Sequence, residues 1–173
     1  MIQSDVSSGW CAVYVKSRCE FKVSGLLAKK NIECFLPTIE RLQRWKNVKK
    51  LKEFPIFNGY VFANIANRYA EILSILRTQG VVRILGSTQC QPSYISQNEI
   101  LSLKKIVECK QSTDVYPYLK EGQKVRIKKG PLLGAEGFLV KKLSNYKLVV
   151  SIDILQRALS ITIDPLDVDY NIN

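Results

Sequence analysis

The stretch Phe-Pro-Ile-Phe-Asn-Gly-Tyr-Val-Phe-Ala-Asn-Ile, residues 54–65, decides how the first part of the chain folds. Asn58-Gly59 is a turn dipeptide whose residues tolerate positive φ. A β-prone run follows the turn, so we expect Phe57 to lie on one side of a tight bend and a strand to begin on the other side.

The strand that begins at Tyr60 has two different faces. Alternation puts Tyr60 and Phe62 on one face and Val61 and Ala63 on the other. The small to medium side chains suit a hydrophobic core. The large rings, with Phe57 beside them, are interpreted as an exposed apolar docking surface for a partner. The alternative is that the rings also belong to the core, beneath a helix.

Length and composition indicate a folded chain that is not embedded in a membrane. The sequence has 173 residues, enough for one ordinary domain or two small ones, and 46% of them are hydrophobic. There is no apolar run long enough to cross a bilayer and no signal-peptide pattern. We therefore expect a soluble cytoplasmic protein without a membrane partner.

The charge of the chain is strongly positive and uneven. The net charge is +11, and residues 1–109 carry 16 Lys and Arg against 8 Asp and Glu, whereas residues 110–173 carry 10 against 7. A basic excess of this size favours a polyanionic partner, most simply nucleic acid. General solubility is the alternative explanation.

The residue inventory argues against metal sites and common catalytic sites. The chain has five cysteines, none in a CxxC pair, and no histidine. His-based metal sites, Ser-His-Asp triads and Cys-His dyads are therefore excluded. No phosphate loop, paired carboxylates or nucleophile constellation is present. We expect a non-enzymatic protein without cofactor or metal, whose cysteines act as small apolar fillers.

The first 109 residues predict an α+β sandwich with helices packed on an antiparallel sheet. Ser17-x-x-Glu20 and Ser96-x-x-Glu99 are capping-box patterns that open helices. Asn31 and Gly80 are expected to end helices, and Asn67 is expected to begin one. The predicted order is β-α-β-hairpin-β-α-β-α.

A basic segment interrupts this pattern at residues 38–53. We interpret it as a protruding hairpin with its turn at Asn47, able to bind a nucleic-acid backbone and to stack a base on Trp45. The alternative is a solvated hairpin without a ligand. Its basic residues are Arg41, Arg44, Lys46, Lys49, Lys50 and Lys52.

The last third of the chain predicts a second, all-β domain. Residues 110–117 are polar and form the expected linker. Short alternating runs of β-branched residues follow, separated by Gly, Pro and Asn-containing turns, as at Gly130-Pro131, Gly137 and Asp164-Pro165. Four or five such strands in about fifty residues predict a small closed barrel.

The ordered set of motifs resembles one family over nearly the whole chain. Residues 122–137, Gly-Gln-Lys-Val-Arg-Ile-Lys-Lys-Gly-Pro-Leu-Leu-Gly-Ala-Glu-Gly, resemble the KOW motif. Residues 151–158 resemble the last barrel loop of the NusG family of transcription elongation factors. The segments that look like the N-terminal (NGN) domain of that family are residues 10–16, the basic segment around Trp45, residues 57–62 and Gly80-Val81.

The resemblance implies an NGN domain at residues 1–109, a linker at 110–117 and a KOW domain with an SH3-like barrel at 118–173. Residues 44–50, followed by the aromatic stretch, look like the UpxY-type antiterminators, relatives of RfaH that serve long capsular and other surface-polysaccharide operons. A monomer that regulates transcription by antitermination is implied, and it would suppress pausing and termination.

The resemblance also implies binding residues. Phe57, Tyr60 and Phe62 would bind the β′ clamp helices of RNA polymerase. Leu155 and Arg157 would contact a ribosomal protein of the small subunit or Rho, although Leu155 can equally be packing within the barrel. The residues implied to bind nucleic acid, including the exposed non-template DNA strand, are Lys16, Arg18, Lys22, Arg41, Arg44, Trp45, Lys46, Arg77, Thr78 and Gln79.

Two departures from the family pattern bear on function. The family usually has Pro where this chain has Asn58, and the general factor has Phe and Gly where this chain has Leu155 and Gln156. The second departure argues against the general factor's contacts with the ribosome or Rho and favours the specialised antiterminator. A general elongation factor coupled to Rho or the ribosome is the first alternative. A ribosome-associated, RNA-binding KOW protein is the second alternative.

Overall fold

A computed structural model describes residues 9–45, 48–65, 68–88, 91–109, 113–116, 122–142 and 145–170. The chain divides into two compact units, Met1–Tyr94 and Ile95–Asn173. Among the described residues, no helix has both the length and the apolar composition needed to cross a bilayer. The predicted turn at Asn47 and the predicted helix cap at Asn67 lie outside the described residues.

The elements of the chain run in an order that confirms a mixed α/β fold. The helices are α1 (Glu20–Lys29), α2 (Arg68–Leu76) and α3 (Gln97–Glu108). The strands are β1 (Gly9–Val15), β2 (Cys34–Phe35), β3 (Thr38–Trp45), β4 (Val48–Pro55), β5 (Tyr60–Ile65), β6 (Val81–Ile84), β7 (Gly86–Thr88), β8 (Gln91–Pro92), β9 (Tyr94–Ile95), β10 (Thr113–Tyr116), β11 (Gln123–Ile127), β12 (Glu136–Lys142), β13 (Asn145–Ile152), β14 (Arg157–Ile163) and β15 (Val168–Asp169).

An antiparallel sheet with strand order β2-β5-β1-β6 forms the centre of the first unit. Strand β1 pairs with β5 so that Val13 faces Val61 and Ala12 faces Phe62. The face with Val13, Val61 and Ala63 packs on α1 and α2 in a cluster of fully buried apolar residues. The prediction that Val61 and Ala63 face a core is therefore confirmed.

The two capping-box predictions have different outcomes. Ser96 is the N-cap of α3, and its hydroxyl accepts a hydrogen bond from the Asn98 N–H. Helix α1 instead begins at Glu20 with Cys19 as N-cap and no side-chain cap, so the prediction at Ser17 is wrong. The physical reason is that the Glu20 carboxylate binds elsewhere, at the N–H of Gly59.

Strands β3 and β4 form a two-stranded sheet of their own. They pair antiparallel from Thr38↔Pro55 to Trp45↔Val48, so the predicted hairpin is confirmed. A 2.9 Å hydrogen bond from the Ile56 N–H to the Pro37 carbonyl closes the base of the hairpin.

The second unit contains α3 and a six-stranded antiparallel sheet with strand order β10-β14-β13-β12-β11-β15. Helix α3 packs on β12 and β13, and the Ser102 hydroxyl accepts a 2.8 Å hydrogen bond from the Glu136 N–H. Among the described residues, five of the six strands, β11 to β15, lie in the range predicted as the all-β domain, where four or five strands were expected, and the sixth strand is β10.

The range predicted as a linker, residues 110–117, contains strand β10. Residues 113–116 pair with β14 from Thr113↔Ile161 to Tyr116↔Ala158. A short polar segment can complete a sheet edge because the ladder uses backbone groups that every residue except proline supplies. The other residues of the predicted linker lie outside the described residues.

Candidate functional site

The face of the central sheet opposite α1 and α2 carries an aromatic and cationic cluster. The rings of Tyr14 and Tyr60, on paired strands, have their centroids 5.4 Å apart. The guanidinium carbon of Arg83 lies 5.9 Å from the centre of the Tyr14 ring. Tyr14 and Arg83 are exposed and Tyr60 is half-buried, so this cluster presents ring surface and a positive charge together. We call Tyr14, Tyr60 and Arg83 the tyrosine cluster.

The other two predicted ring contacts are not exposed. Phe57 is 1% exposed and Phe62 is 0% exposed, so the expectation that their rings form an open surface is wrong. The Phe57 ring meets the Phe62 ring edge-on at 6.0 Å, and the Phe35 ring stacks on Phe62 at 6.1 Å. Mutual packing removes the rings from water, which is the more favourable arrangement for benzyl side chains.

The tight bend before Tyr60 is held from helix α1. Gly59 has φ +83°, as predicted for the turn dipeptide. Its N–H donates a 2.8 Å hydrogen bond to Oε1 of Glu20, and its carbonyl accepts one from the Val15 N–H at 2.9 Å. Because Tyr60 directly follows Gly59, the hydrogen bond from Gly59 to Glu20 helps to position the tyrosine cluster.

Two loops meet beside β1 and gather many of the predicted nucleic-acid residues. The Lys16 N–H donates a 2.8 Å hydrogen bond to the Gly80 carbonyl, which joins the β1–α1 loop to the α2–β6 loop. The Lys22 ammonium donates to the Gln79 side-chain oxygen at 2.9 Å. The exposed side chains carried by these two loops and by the first turn of α1 are those of Lys16, Arg18, Lys22, Arg77 and Gln79, and we call them the basic corner.

Thr78 does not share that exposure. It is buried, and its hydroxyl donates to the Ser74 carbonyl at 2.8 Å and accepts from the Lys30 ammonium at 2.7 Å. The expectation that Thr78 reaches a base edge is therefore wrong in this conformation. Its hydroxyl therefore binds the Ser74 carbonyl, one of the carbonyls that have no partner within the last turn of α2.

The hairpin brings like charges together. Arg41 faces Lys52 across the β3–β4 ladder, both are exposed, and Lys50 faces Gln43 on the same side. Like charges directly opposite each other destabilise a two-stranded ribbon, and an anionic ligand would relieve the repulsion. Arg44 and Trp45 occupy the last positions of β3, and Lys46 lies outside the described residues.

The predicted partner loop of the second unit is a short 3₁₀ turn at Asp153–Leu155. Leu155 is buried, so its packing interpretation is supported and its predicted exposure is wrong. Arg157 is exposed, and Gln156 before it has φ +50°, with its side-chain amide donating to the Asp153 carbonyl. The loop therefore offers polar and cationic groups, while its leucine faces inward.

A cavity of about 410 Å³ lies in the second unit. Helix α3 contributes Glu99 to its lining, the sheet contributes Lys124 and Phe138, and the 3₁₀ turn contributes Asp153. Burial, and then the nearby Asp153 carboxylate, raises the pKa of Glu99 above its ordinary value. This half-buried carboxyl therefore holds its proton more tightly than a solvated one.

Tyr14 and Arg83 were not among the site residues predicted from the sequence. A signal for Tyr14 was present, because it alternates with Ala12 and Trp10 along β1 and thus shares the face of Tyr60 and Phe62. No local pattern marked Arg83, since its place beside Tyr14 depends on the pairing of β6 with β1.

Comparisons with known proteins agree with this architecture. The model of the family "NusG: Transcription termination factor nusG" matches residues 8–104. The transcription termination/antitermination protein NusG of Borreliella burgdorferi is 28% identical over 136 residues, which cover 73% of this chain and 74% of that protein.

A solved structure gives the same result for the fold. The structure described as a domain interaction in Thermotoga maritima NusG matches with a TM-score of 0.51 and 17% identity, and the match covers 95% of this chain and 97% of that one. The family match spans more than half of the chain and contains the tyrosine cluster and the basic corner. The chain belongs to the NusG family of transcription termination and antitermination factors.

Proposed function

We propose that this protein is a specialised antitermination and elongation factor, which binds RNA polymerase through residues 1–109 and recruits a second partner through a KOW domain at residues 118–173. The observation that carries the proposal is the tyrosine cluster beside the basic corner, within the segment that matches the family. The proposed partner on the polymerase is the pair of β′ clamp helices.

Tyr60 is the centre of the proposed polymerase contact. Its ring is half-buried and lies at an interplanar angle of 48° to the exposed Tyr14 ring, and aromatic rings of this kind often dominate binding energy at interfaces. Phe57 and Phe62 contribute from beneath: the Phe57 carbonyl accepts a hydrogen bond from the Tyr60 N–H, and Phe62 packs on Phe57. Together they hold the Tyr60 ring in position.

The proposed nucleic-acid contacts are the basic corner and the basic side of the hairpin. Lys16, Arg18, Lys22 and Arg77 would bind phosphates of the non-template strand, and Gln79 would reach a base edge. Positive charge on exposed loops beside a polymerase-binding face can bind the displaced DNA strand without a conformational change in the protein.

The polymerase contact is tested with Tyr60→Ala and, as a matched control, Tyr69→Ala on the exposed side of α2. The dissociation constant for core RNA polymerase should rise by about 30-fold or more for Tyr60→Ala, since a hot-spot aromatic at an interface contributes about 2 kcal/mol or more. The control should bind as the parent protein does. Equal binding by both variants would refute the contact.

The DNA contact is tested by measuring affinity for a single-stranded oligonucleotide over a range of salt concentrations. Each phosphate contact on single strands contributes about 0.7 to the slope of log affinity against log salt. Lys16→Ala combined with Lys22→Ala should lower that slope by about 1 to 1.5, whereas Lys129→Ala in the second unit should leave it unchanged. A salt-independent affinity of the parent protein would remove the electrostatic account.

A general elongation factor is the second candidate, and the 28% identity to the Borreliella burgdorferi NusG protein favours it. In that case Arg157 and the loop around it would contact Rho or a small-subunit ribosomal protein. Genome-wide occupancy separates the two candidates, because a specialised factor should occupy one or a few operons and a general factor nearly all transcribed genes.

A further inference from the structure

The loop between α2 and β6 alternates between exposed and buried side chains. Arg77 and Gln79 are exposed, whereas Thr78 between them is buried. Because the three residues share one stretch of backbone, a contact that holds the Thr78 side chain inside the protein also limits where Arg77 and Gln79 can lie. The question is therefore which contact holds Thr78.

That contact comes from the end of helix α1. The Lys30 ammonium donates a 2.7 Å hydrogen bond to the Thr78 hydroxyl and another of 2.7 Å to the Ser74 carbonyl. The Thr78 hydroxyl in turn donates to the same carbonyl at 2.8 Å. The three groups form a closed triangle of hydrogen bonds, and we call Lys30, Ser74 and Thr78 the Lys30 clamp.

The charge of Lys30 suits its place at the end of α2. The last turn of α2 contains no basic residue of its own. The C-terminal end of a helix carries partial negative charge, so a cation is favourable there. Lys30 is the C-cap residue of α1, and its N–H donates a 2.9 Å hydrogen bond to the Leu27 carbonyl, which fixes the backbone from which the side chain reaches α2.

Two further contacts hold the other end of the same loop. The Lys22 ammonium donates to the side-chain oxygen of Gln79, and the Lys16 N–H donates to the Gly80 carbonyl. The Lys30 clamp fixes the start of the loop and these contacts fix its end. The loop is therefore ordered by the protein itself, in the shape that presents Arg77 at the surface.

We propose that Lys30 and Thr78 are positioning residues for DNA binding by the basic corner. The Lys30 clamp orders Arg77 and Gln79 before DNA binds, and neither Lys30 nor Thr78 contacts the DNA. A loop that is ordered in advance loses less conformational entropy on binding, so the same contacts give a higher affinity. This inference rests on the proposed function and gives Thr78 a role that differs from the predicted contact with a base.

The first test changes no charge. Thr78→Val keeps a branched side chain at a position that is 4% exposed but removes the hydroxyl from the clamp. Titration of the full chain into a single-stranded DNA oligonucleotide should show a dissociation constant about 3- to 10-fold higher than that of the parent protein. Thr78→Ser keeps the hydroxyl and should bind as the parent protein does. Unchanged affinity of Thr78→Val would overturn the inference.

The second test compares two neighbouring lysines. Lys30→Met and Lys29→Met remove the same charge from the end of α1, and both residues are exposed. Lys30→Met should raise the dissociation constant by about 3- to 10-fold, and Lys29→Met by less than about 2-fold, because only a screened charge is lost. Lys30→Arg keeps a cationic donor and should recover part of the affinity. Equal losses for the two methionine variants would overturn the inference.

The salt dependence separates positioning from a direct phosphate contact. A lost contact to single-stranded DNA lowers the slope of log affinity against log salt by about 0.7. A positioning residue leaves the contacts of the bound state in place, so Lys30→Met should show the slope of Lys29→Met. A slope lowered by about 0.7 in Lys30→Met alone would show that Lys30 binds a phosphate and would overturn the inference.

A combined variant tests whether the two residues act through one contact. Lys30→Met together with Thr78→Val should bind DNA about as well as the weaker single variant, because either change already breaks the clamp. Losses that add would show two independent roles and would overturn the inference. A lower stability against urea with unchanged DNA affinity would do the same, since the clamp would then serve folding alone.

The remaining outcomes separate the inference from the proposed function. If Lys16→Ala combined with Lys22→Ala weakens DNA binding and the clamp variants do not, the inference is overturned and the DNA contact stands. If the parent protein does not bind single-stranded DNA, the DNA contact and the inference both fail.

Discussion

Replacing Glu20 should loosen the bend on which the proposed polymerase contact depends. Glu20 is 5% exposed, and its Oε1 accepts the Gly59 N–H at 2.8 Å across 39 positions of sequence. In Glu20→Ala the acceptor disappears and the Gly59 N–H is left without this hydrogen bond inside the protein. The prediction concerns both the stability of the first unit and the affinity of Tyr60 for its partner.

The magnitude follows from the contact. A hydrogen bond to a charged group contributes about 1.5–3 kcal/mol, and an unsatisfied buried donor costs about 1–3 kcal/mol. The carboxylate also lies in the first turn of α1, where the helix dipole favours it by about 0.3–1 kcal/mol. These contributions overlap, so we expect Glu20→Ala to lower the free energy of unfolding by about 2–4 kcal/mol. Glu20→Gln keeps an acceptor oxygen and should cost about 1 kcal/mol.

Urea unfolding followed by tryptophan fluorescence provides the assay. Both tryptophans of the chain, Trp10 and Trp45, belong to the first unit, so the signal reports that unit. Glu53→Ala removes an exposed glutamate from the same unit and is the control. The reasoning would be refuted if Glu20→Ala unfolded at the same urea concentration as Glu53→Ala, or if Glu20→Gln cost as much as Glu20→Ala.

Four further predictions concern stability and reactivity. Gly137→Ala would place a Cβ 2.5 Å from the Val149 carbonyl oxygen, so it should lower the stability of the second unit by about 1–3 kcal/mol or more, measured by circular dichroism during denaturation. The Cβ added by Gly25→Ala, in the middle of α1, would have no atom within 4 Å, so this variant should raise the free energy of unfolding of the first unit by about 0.5–1 kcal/mol in the same urea assay. A decrease would contradict this prediction. Glu99→Gln should stabilise the second unit at pH 7 but not below about pH 4. Burial raises the pKa of Glu99 in the folded state above its unfolded value of 4.5, so the folded chain loses stability as the pH rises from the unfolded pKa through the folded pKa. A stabilisation by Glu99→Gln that is the same at all pH values would contradict the raised pKa. Burial also raises the pKa of Cys11 to about 12, so a thiol reagent at pH 8 should label Cys11 only after unfolding. Cys19 and Cys34 are partly exposed and should be labelled in the folded protein, and peptide mapping distinguishes the labelled cysteines.

Local sequence determined the elements of this chain with good fidelity. Alternation of large and small residues at 60–63 predicted β5, and the basic run with Asn47 as its turn residue predicted the β3–β4 hairpin. Asn31 has φ +58° directly after the C-cap of α1, where a helix was expected to end, whereas α2 ends at Leu76, four residues before the predicted stop at Gly80. These features depend on backbone sterics and on residues a few positions apart, which a sequence displays directly.

Burial was harder to predict where both alternatives were chemically reasonable. Phe57, Phe62 and Leu155 are apolar and would suit either an interface or a core, and the alternation pattern only says that Tyr60 and Phe62 share a face. In the structure the phenylalanines are buried, whereas Tyr60 and Tyr14 remain accessible to water. The hydroxyl groups make the tyrosine rings more polar, which favours the accessible positions for them. Gly137 also differed, since it was expected to mark a turn and instead lies within β12 against β13.

The sequence by itself determined the secondary structure, the positive charge of the first unit and the motifs that indicate the NusG family. Only the tertiary structure decided that Glu20 holds Gly59, that Arg83 lies beside Tyr14, and that Lys22 reaches Gln79. The physical reason is that these contacts join residues far apart in the chain, whose distance depends on sheet register and on the packing of helices. A local sequence pattern contains no information about sheet register or helix packing. Some residues of the candidate site could therefore be predicted from the sequence, but their contacts with one another could not.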